Sequence, residues 1–143
     1  MTEYEIGEID TSIYELLEDA FTSAYQILRW RAVYTAGHLD LHRFGNNLIQ
    51  IVSEDSDGNV RAAAAEALGE IGAKEALNPL IEVMRTDTTK VVFSRAMRAI
   101  AKMGDAGTLI VLRKNIKNFP EHRRPDVKRL IEVLESKANL DEI

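Results

Sequence analysis

The stretch from Asp57 to Gly72 decides the fold and reads DGNVRAAAAEALGEIG. Its apolar residues recur at intervals of three and four, the spacing of one face of an α-helix. The residues on this face are Val60, Ala64, Ala67, Leu68 and Ile71. Asp57 and Gly58 form a turn before the helix, and Gly72 suits its C-terminal cap, because glycine adopts the left-handed conformation at little cost. A shorter helix follows, with Pro79 near its start, where the missing amide hydrogen costs little.

The pattern of this stretch recurs along the chain with a period of 32 residues. The aligned sets are Leu16, Leu48, Leu80 and Leu112; Leu28, Val60 and Val92; Ala32, Ala64 and Ala96; Ala36, Leu68 and Ile100; and Leu39, Ile71 and Met103. Chance does not explain this agreement, because only 45% of the chain is hydrophobic. A helical pattern with a period of this length is typical of a solenoid. The sequence therefore predicts an all-α, right-handed α-α superhelix of about four helical hairpins, with these positions in its core.

The four predicted hairpins form a single domain over residues 1–143. Their repeats lie at about 12–37, 41–72, 75–104 and 105–137, and we expect flexible ends at 1–10 and 138–143. After Ile116 the period slips, because Pro120 and Pro125 mark a longer loop. The last long helix is predicted to run from Asp126 to Ser136.

The composition is that of a protein without disulfides or membrane spans. The 143 residues include no cysteine, so neither disulfides nor thiolate metal sites can form. The chain contains no apolar run of 18 residues, and its N-terminus is acidic where a signal peptide would be basic. We therefore expect a cytoplasmic protein.

Charge is distributed unevenly about a net value of −5. The interval from Met1 to Asp19 holds seven acidic residues and no basic one, whereas Arg113 to Arg129 holds seven basic residues and two acidic ones. Three interpretations remain open. In the first, each run solvates its own terminal helix; in the second, the two ends associate head to tail between copies; in the third, an acidic partner docks on the basic end.

The stretch Asp57–Gly72, followed by Glu75–Glu82, resembles the HEAT-like repeat of the phycobilisome-lyase (PBS lyase) type. The third copy is looser, with Phe93 where arginine is usual. The resemblance covers about Ser12 to Ser136. It implies a scaffold that binds other proteins, since most members of this family do so; some attach or detach bilins, and a few are enzymes or bind DNA.

The resemblance also implies that the second helix of each hairpin lines the concave face of the stack. The helical spacing independently places one stripe of each such helix opposite the core. The predicted partner-binding residues on this stripe are Trp30, Arg31, Tyr34, His38, Ala62, Ala63, Glu66, Glu70, Ser94, Arg95, Arg98 and Lys102. This surface begins aromatic, becomes small and acidic, and ends basic.

Both ends of the stripe have alternative interpretations. Trp30 and Tyr34 are either an aromatic anchor for a partner or are covered by the N-terminal segment through Tyr4, Ile6 or Ile9. The basic residues at the other end either pair with Glu66 and Glu70, attract an acidic protein, or contact nucleic acid.

No catalytic, cofactor-binding or metal-binding constellation is apparent. His38 and His42 lie four residues apart with Asp40 between them, but no third ligand is evident. The leading hypothesis is a non-enzymatic adaptor that binds a segment of a partner protein on the concave face. The alternatives are an accessory subunit of a cofactor-modifying, bilin-lyase-like enzyme and a weak nucleic-acid binder.

Overall fold

A computed structural model describes residues 11–141 of the chain. Eight α-helices occupy this range, and no β-strand is present in it. The helices are α1 (Thr11–Phe21), α2 (Gln26–His38), α3 (Gly45–Glu54), α4 (Gly58–Ile71), α5 (Leu77–Thr86), α6 (Lys90–Met103), α7 (Ala106–Asn115) and α8 (Arg124–Asp141). Short 3₁₀ turns precede α3, α5 and α8 and follow α7, at His42–Phe44, Lys74–Ala76, Glu121–Arg123 and Ile116–Asn118.

The helices pack as successive hairpins in two layers. Each odd-numbered helix contacts the even-numbered helix that follows it, and α4 lies between α2 and α6, with extensive contacts to both. One layer therefore contains α2, α4, α6 and α8, while α1, α3, α5 and α7 form the other. This arrangement confirms the predicted all-α superhelix of helical hairpins.

Helix α4 forms as its sequence predicts. The side chain of Asp57 caps the N-terminus by accepting hydrogen bonds from the amides of Asn59 at 2.8 Å and Val60 at 3.1 Å. Gly72 ends the helix with a φ of 67°, a left-handed conformation that glycine adopts without strain. The predicted apolar face is buried throughout, at Val60, Ala64, Ala67, Leu68 and Ile71.

The first hairpin departs from the predicted core. Leu16 is 66% exposed and Leu28 is 44% exposed, whereas the residues aligned with them in the later copies are fully buried. Helix α1 instead turns Leu17 and Phe21 inward. In the later copies a preceding hairpin covers the aligned positions, and within residues 11–141 no hairpin precedes the first. The prediction that Leu16 and Leu28 belong to the core was therefore wrong.

The last helix is longer than predicted. It begins at Arg124 and continues to Asp141, so residues 138–141 are helical. Beyond Ser136 the helix is held by Lys137, whose Nζ donates hydrogen bonds to the carbonyl oxygens of Lys102 at 3.0 Å and Gly104 at 3.3 Å. The other predicted flexible residues, 1–10, 142 and 143, lie outside the described residues.

A repeated ion pair joins consecutive hairpins. Arg29 in α2 binds Asp55 in the turn before α4, with its Nε 2.8 Å from Oδ2 and its Nη2 3.1 Å from Oδ1. Thirty-two residues later, Arg61 in α4 binds Asp87 in the turn before α6, at 2.7 and 3.4 Å. Each arginine thus ties the second helix of its own hairpin to the turn that leads into the next second helix.

The third copy replaces this ion pair with a different contact. Phe93 occupies the position of Arg29 and Arg61, and the guanidinium of Arg123 lies 4.7 Å from the centroid of its ring. Arg123 is buried; it donates a hydrogen bond to the carbonyl oxygen of Met84 at 2.7 Å and another to that of Asp87. The arginine therefore comes from the 3₁₀ turn before α8 and contacts the preceding hairpin.

Candidate functional site

A groove runs across the exposed side of α2, α4 and α6. Its larger part has a volume of about 410 Å³, and a recess of about 210 Å³ continues it between α4 and α6. The larger part is lined by Gln26, Ile27, Trp30, Tyr34, Asn59, Ala62, Ala63, Glu66, Ala67, Glu70, Val91 and Arg95. The recess is lined by Glu66, Gly69, Glu70, Arg95, Arg98, Ala99 and Lys102.

The α2 side of the groove carries a stack of three rings. The centroids of Trp30 and Tyr34 lie 5.3 Å apart, and those of Tyr34 and His38 lie 5.6 Å apart, with interplanar angles of 14° and 9°. The rings meet because residues four apart project from the same face of a helix. At these separations parallel rings are offset. Tyr34 is 52% exposed, so aromatic surface remains open to a partner.

The groove is shallow because α4 packs closely against α2 and α6. A Cβ atom on Gly37 of α2 would lie 2.7 Å from the Cβ of Ala67, and one on Gly69 would lie 2.9 Å from the Cβ of Ala99 in α6. The helices therefore touch almost backbone to backbone at these two points. Ala62 is only 5% exposed and contributes floor rather than a projecting side chain.

The α6 side of the groove is basic. The Nε of Arg95 lies 4.0 Å from Oε2 of Glu66, which joins this side to α4 by a long ion pair. Among residues 11–141, neither Arg98 nor Lys102 has an ion-pair partner within 4.0 Å, and both are exposed. The predicted pairing of the basic residues with Glu66 and Glu70 is thus limited to one contact.

The structure brings most of the predicted stripe together in this groove. The predicted residues that line it are Trp30, Tyr34, Ala62, Ala63, Glu66, Glu70, Arg95, Arg98 and Lys102. Arg31, His38 and Ser94 do not line it, although His38 extends the ring stack. The segment containing Tyr4, Ile6 and Ile9, predicted as an alternative cover for the aromatic end, lies outside the described residues.

Seven lining residues were not among the predicted site residues: Gln26, Ile27, Asn59, Ala67, Gly69, Val91 and Ala99. Three of these occupy one repeat position, since Ile27, Asn59 and Val91 are spaced 32 residues apart. Continuing the predicted stripe by one turn towards the N-terminus of each helix would have found them, because Ile27, Asn59 and Val91 lie three or four residues before Trp30, Ala63 and Arg95. Ile27 is 51% exposed and Val91 37% exposed, so they give the rim an apolar character.

His38 and His42, the histidine pair noted in the sequence, make separate contacts. His38 lies in the ring stack, while Nε2 of His42 lies 3.0 Å from Oδ1 of Asp40. Asp40 has a φ of 58° and turns the chain after α2. In the described part of the chain, no three histidine, aspartate or glutamate side chains come together in a way that would hold a metal ion. Nor does any helix there have the length and apolar character needed to cross a membrane.

The stacked hairpins and their groove define an α-solenoid with an open surface along one layer. The sequence model of the HEAT-repeat family matches two overlapping regions of the chain, residues 13–96 and 45–135. These regions together cover most of the 143 residues, so the chain belongs to the HEAT-repeat family. HEAT repeats commonly mediate interactions between proteins. No curated protein matches the chain.

Proposed function

We propose that this HEAT-repeat chain is a non-enzymatic adaptor that binds a segment of a partner protein in the groove across α2, α4 and α6. The observation that carries this proposal is the combination of open aromatic surface and unpaired charge in one groove. Trp30 and Tyr34 supply side chains of the type that anchor interfaces. Arg98 and Lys102 supply charges without an ion-pair partner among the described residues.

The shape of the groove also supports a protein partner. Its floor is formed by small side chains of α4, so a helix or an extended peptide can lie across it without a deep cavity. Helices of a partner commonly dock in such apolar grooves through a few anchoring side chains. The proposal that the chain is not an enzyme is supported by the lack of any recognised catalytic constellation in the sequence.

The proposal extends to the repeat subtype, for which we favour the phycobilisome-lyase type. Its support is the resemblance of Asp57–Gly72 and the proline-containing helix after it. This subtype keeps open the alternative of an accessory subunit for a bilin-lyase-like enzyme. Coloured protein after co-expression with a bilin would favour that alternative, and colourless protein under working controls would count against it.

A capture experiment from native cell extract tests the adaptor proposal. The groove variant combines Tyr34→Ala, Arg98→Glu and Lys102→Glu, positions that have no ion pair among residues 11–141. We expect wild type to retain a protein that the groove variant loses. The identified protein is then purified, and its affinity for both forms is measured by calorimetry.

A matched control changes the other layer by the same chemistry. It combines Ile110→Ala, Lys114→Glu and Lys117→Glu, all exposed positions on or just after α7. The control should keep the partner, and circular dichroism should show both variants folded. Equal retention by wild type and the groove variant would refute the site, and retention of no protein by wild type would refute the adaptor.

The nucleic-acid alternative makes a separate prediction. The basic side of the groove would then contact phosphates, and affinity would fall steeply as salt concentration rises. The adjacent Glu66 and Glu70 oppose this, because a phosphate chain crossing the groove would pass both carboxylates. The absence of a gel shift at low salt would exclude this alternative.

A further inference from the structure

We propose that the groove selects a helical partner segment carrying two opposite charges: a lysine or arginine for its α2 side, and a glutamate or aspartate two helical turns away for its α6 side. This inference rests on the proposed adaptor function and adds the charge pattern of the partner. It follows from which of the two glutamates and three basic residues lining the groove form an ion pair with each other and which do not.

The α2 side of the groove offers an open carboxylate beside the ring stack. Oε2 of Glu70 lies 3.0 Å from the position of a Cβ on Gly37, so this carboxylate leans from α4 over α2. Glu70 is exposed and makes no ion pair with any residue between 11 and 141. A cation placed there would meet the carboxylate and, in the same part of the groove, the uncovered part of the Tyr34 ring, both of which attract positive charge.

Apolar side chains on the rim of the larger part of the groove suit the stem of a long basic side chain. Ile27 in α2 and Val91 in α6 are exposed large apolar residues on this rim. Lysine and arginine cover such surface with their methylene groups while their charged ends remain solvated or paired. A purely apolar ligand would leave Glu70 partly desolvated and unpaired, which is unfavourable.

The α6 side of the groove offers the opposite charge. Arg98 and Lys102 line the recess, and they have no ion-pair partner in the described chain. Arg95 differs, because Glu66 partly neutralises it at 4.0 Å. The carboxylate of Glu70 leans towards α2, whereas Arg98 and Lys102 lie on α6, so the groove has a half that attracts a cation and a half that attracts a carboxylate.

The geometry of the layer sets the spacing between the two partner charges. Packed helices lie about 8–10 Å apart, so sites over the α2–α4 seam and the α4–α6 seam are separated by about 10 Å. A helix rises about 1.5 Å per residue, and residues i and i+7 therefore lie about 10 Å apart on one face. A lysine at i and a glutamate at i+7 match the two halves of the groove.

The test uses three synthetic helical peptides without tryptophan and measures binding by the fluorescence of Trp30, the only tryptophan in the chain. The first peptide carries lysine at i and glutamate at i+7. The second replaces the glutamate by glutamine, and the third replaces the lysine by glutamine. We expect the first peptide to bind about fivefold more tightly than either of the others at low ionic strength.

Two protein variants assign each charge to its half of the groove. Glu70→Gln should weaken the first and second peptides about fivefold and leave the third unchanged. The combination Arg98→Gln and Lys102→Gln should weaken the first and third peptides and leave the second unchanged. Lys114→Gln with Lys117→Gln, on the other layer, is the matched control and should change none of the three.

The possible failures are distinguishable. Equal binding of all three peptides, unaffected by the variants, would overturn the charge pattern while the capture experiment could still support an adaptor. No change in Trp30 fluorescence with any peptide at millimolar concentration would also overturn it. A single-stranded oligonucleotide that binds more tightly than every peptide would overturn the assignment of the groove to a protein segment.

Discussion

At the scale of single residues, the arginine–aspartate pairs are the most specific contacts between hairpins. The Arg61 and Asp87 side chains are 17% and 10% exposed, so their bidentate contact is largely shielded from water. Burial alone raises the pKa of Asp87, but hydrogen bonds from Arg61 and from the amide and hydroxyl of Thr89 outweigh it and hold the pKa below the usual 3.8. The same arginine also donates to the carbonyl oxygen of Asp55 at 2.8 Å.

The lowered pKa of Asp87 makes its contribution to stability dependent on pH. The contribution is complete above the unfolded-state pKa near 3.8 and is lost as the pH falls through the lower folded-state pKa. We expect Asp87→Asn to reduce the free energy of unfolding by about 2 kcal/mol at pH 7, with a smaller difference from wild type below pH 3.8. Urea unfolding at a series of pH values measures both effects.

Glu82→Gln is the matched control for this prediction. The pKa of Glu82 is lowered by a hydrogen bond from Arg85, but both side chains of that pair are well exposed. Exposed pairs contribute about 0–1 kcal/mol, so the control should unfold at nearly the wild-type urea concentration. A difference in the free energy of unfolding between wild type and Asp87→Asn that stays unchanged at acid pH would contradict the role given to the Asp87 carboxylate.

At the scale of helices, close packing of α2 and α4 places the groove residues. Gly37 permits this approach, because a side chain there would meet both the Cβ of Ala67 at 2.7 Å and its Cα at 2.8 Å. The aligned Gly69 faces Ala99 in the same way. In the third copy the aligned residue is Ala101, and α6 makes less contact with α8 than with α4.

Gly37→Ala should therefore destabilise the chain although alanine favours helices. The added methyl group forces the helices apart at a cost of about 1–3 kcal/mol, which outweighs a gain of about 1 kcal/mol in helix propensity. Gly45→Ala is the control, because its Cβ would meet only the flexible end of Glu75 at 3.1 Å. Thermal unfolding should show a lower Tm for the first variant and little change for the second. Equal Tm values for the two variants would contradict the close approach.

The sequence predicted the helices better than it predicted the side-chain contacts between them. The 32-residue period predicted the hairpins, and the helical spacing within their second helices predicted most of the stripe that lines the groove. It did not reveal that Arg123 replaces the missing arginine at Phe93, since these two residues are 30 positions apart and no repeat relates them. Nor did it indicate the hydrogen bonds from Lys137 that hold the end of α8.

At the scale of the whole molecule, each hairpin is stabilised mainly by its immediate neighbours, as in other solenoids. Two aligned leucines test this. Leu80 is fully buried in the interior of the stack, and Leu16 is 66% exposed in the first hairpin. Leu80→Ala should cost about 2–5 kcal/mol, whereas Leu16→Ala should change stability by about 0.5 kcal/mol or less.

Chemical denaturation of these two variants gives the comparison directly. The same substitution at the same repeat position isolates the effect of a preceding hairpin. If Leu16→Ala were as destabilising as Leu80→Ala, the end of the stack would be covered and our description of the first hairpin would be wrong. The periodic pattern alone could not predict the difference, because it assigns every copy the same surroundings.

The second hairpin uses the ion pair of Arg61, whereas the third uses the contact between Phe93 and Arg123. This difference limits where further hairpins could be inserted into the chain. A duplicate of residues 57–88 inserted after Thr88 would contain its own Arg61 and Asp87. The ion pair between hairpins would therefore form at each new junction. A duplicate of the third hairpin would carry Phe93 without the arginine that stacks on it. New units can therefore be added in the middle of the chain, whereas the junction between the third and fourth hairpins accepts only its own α8.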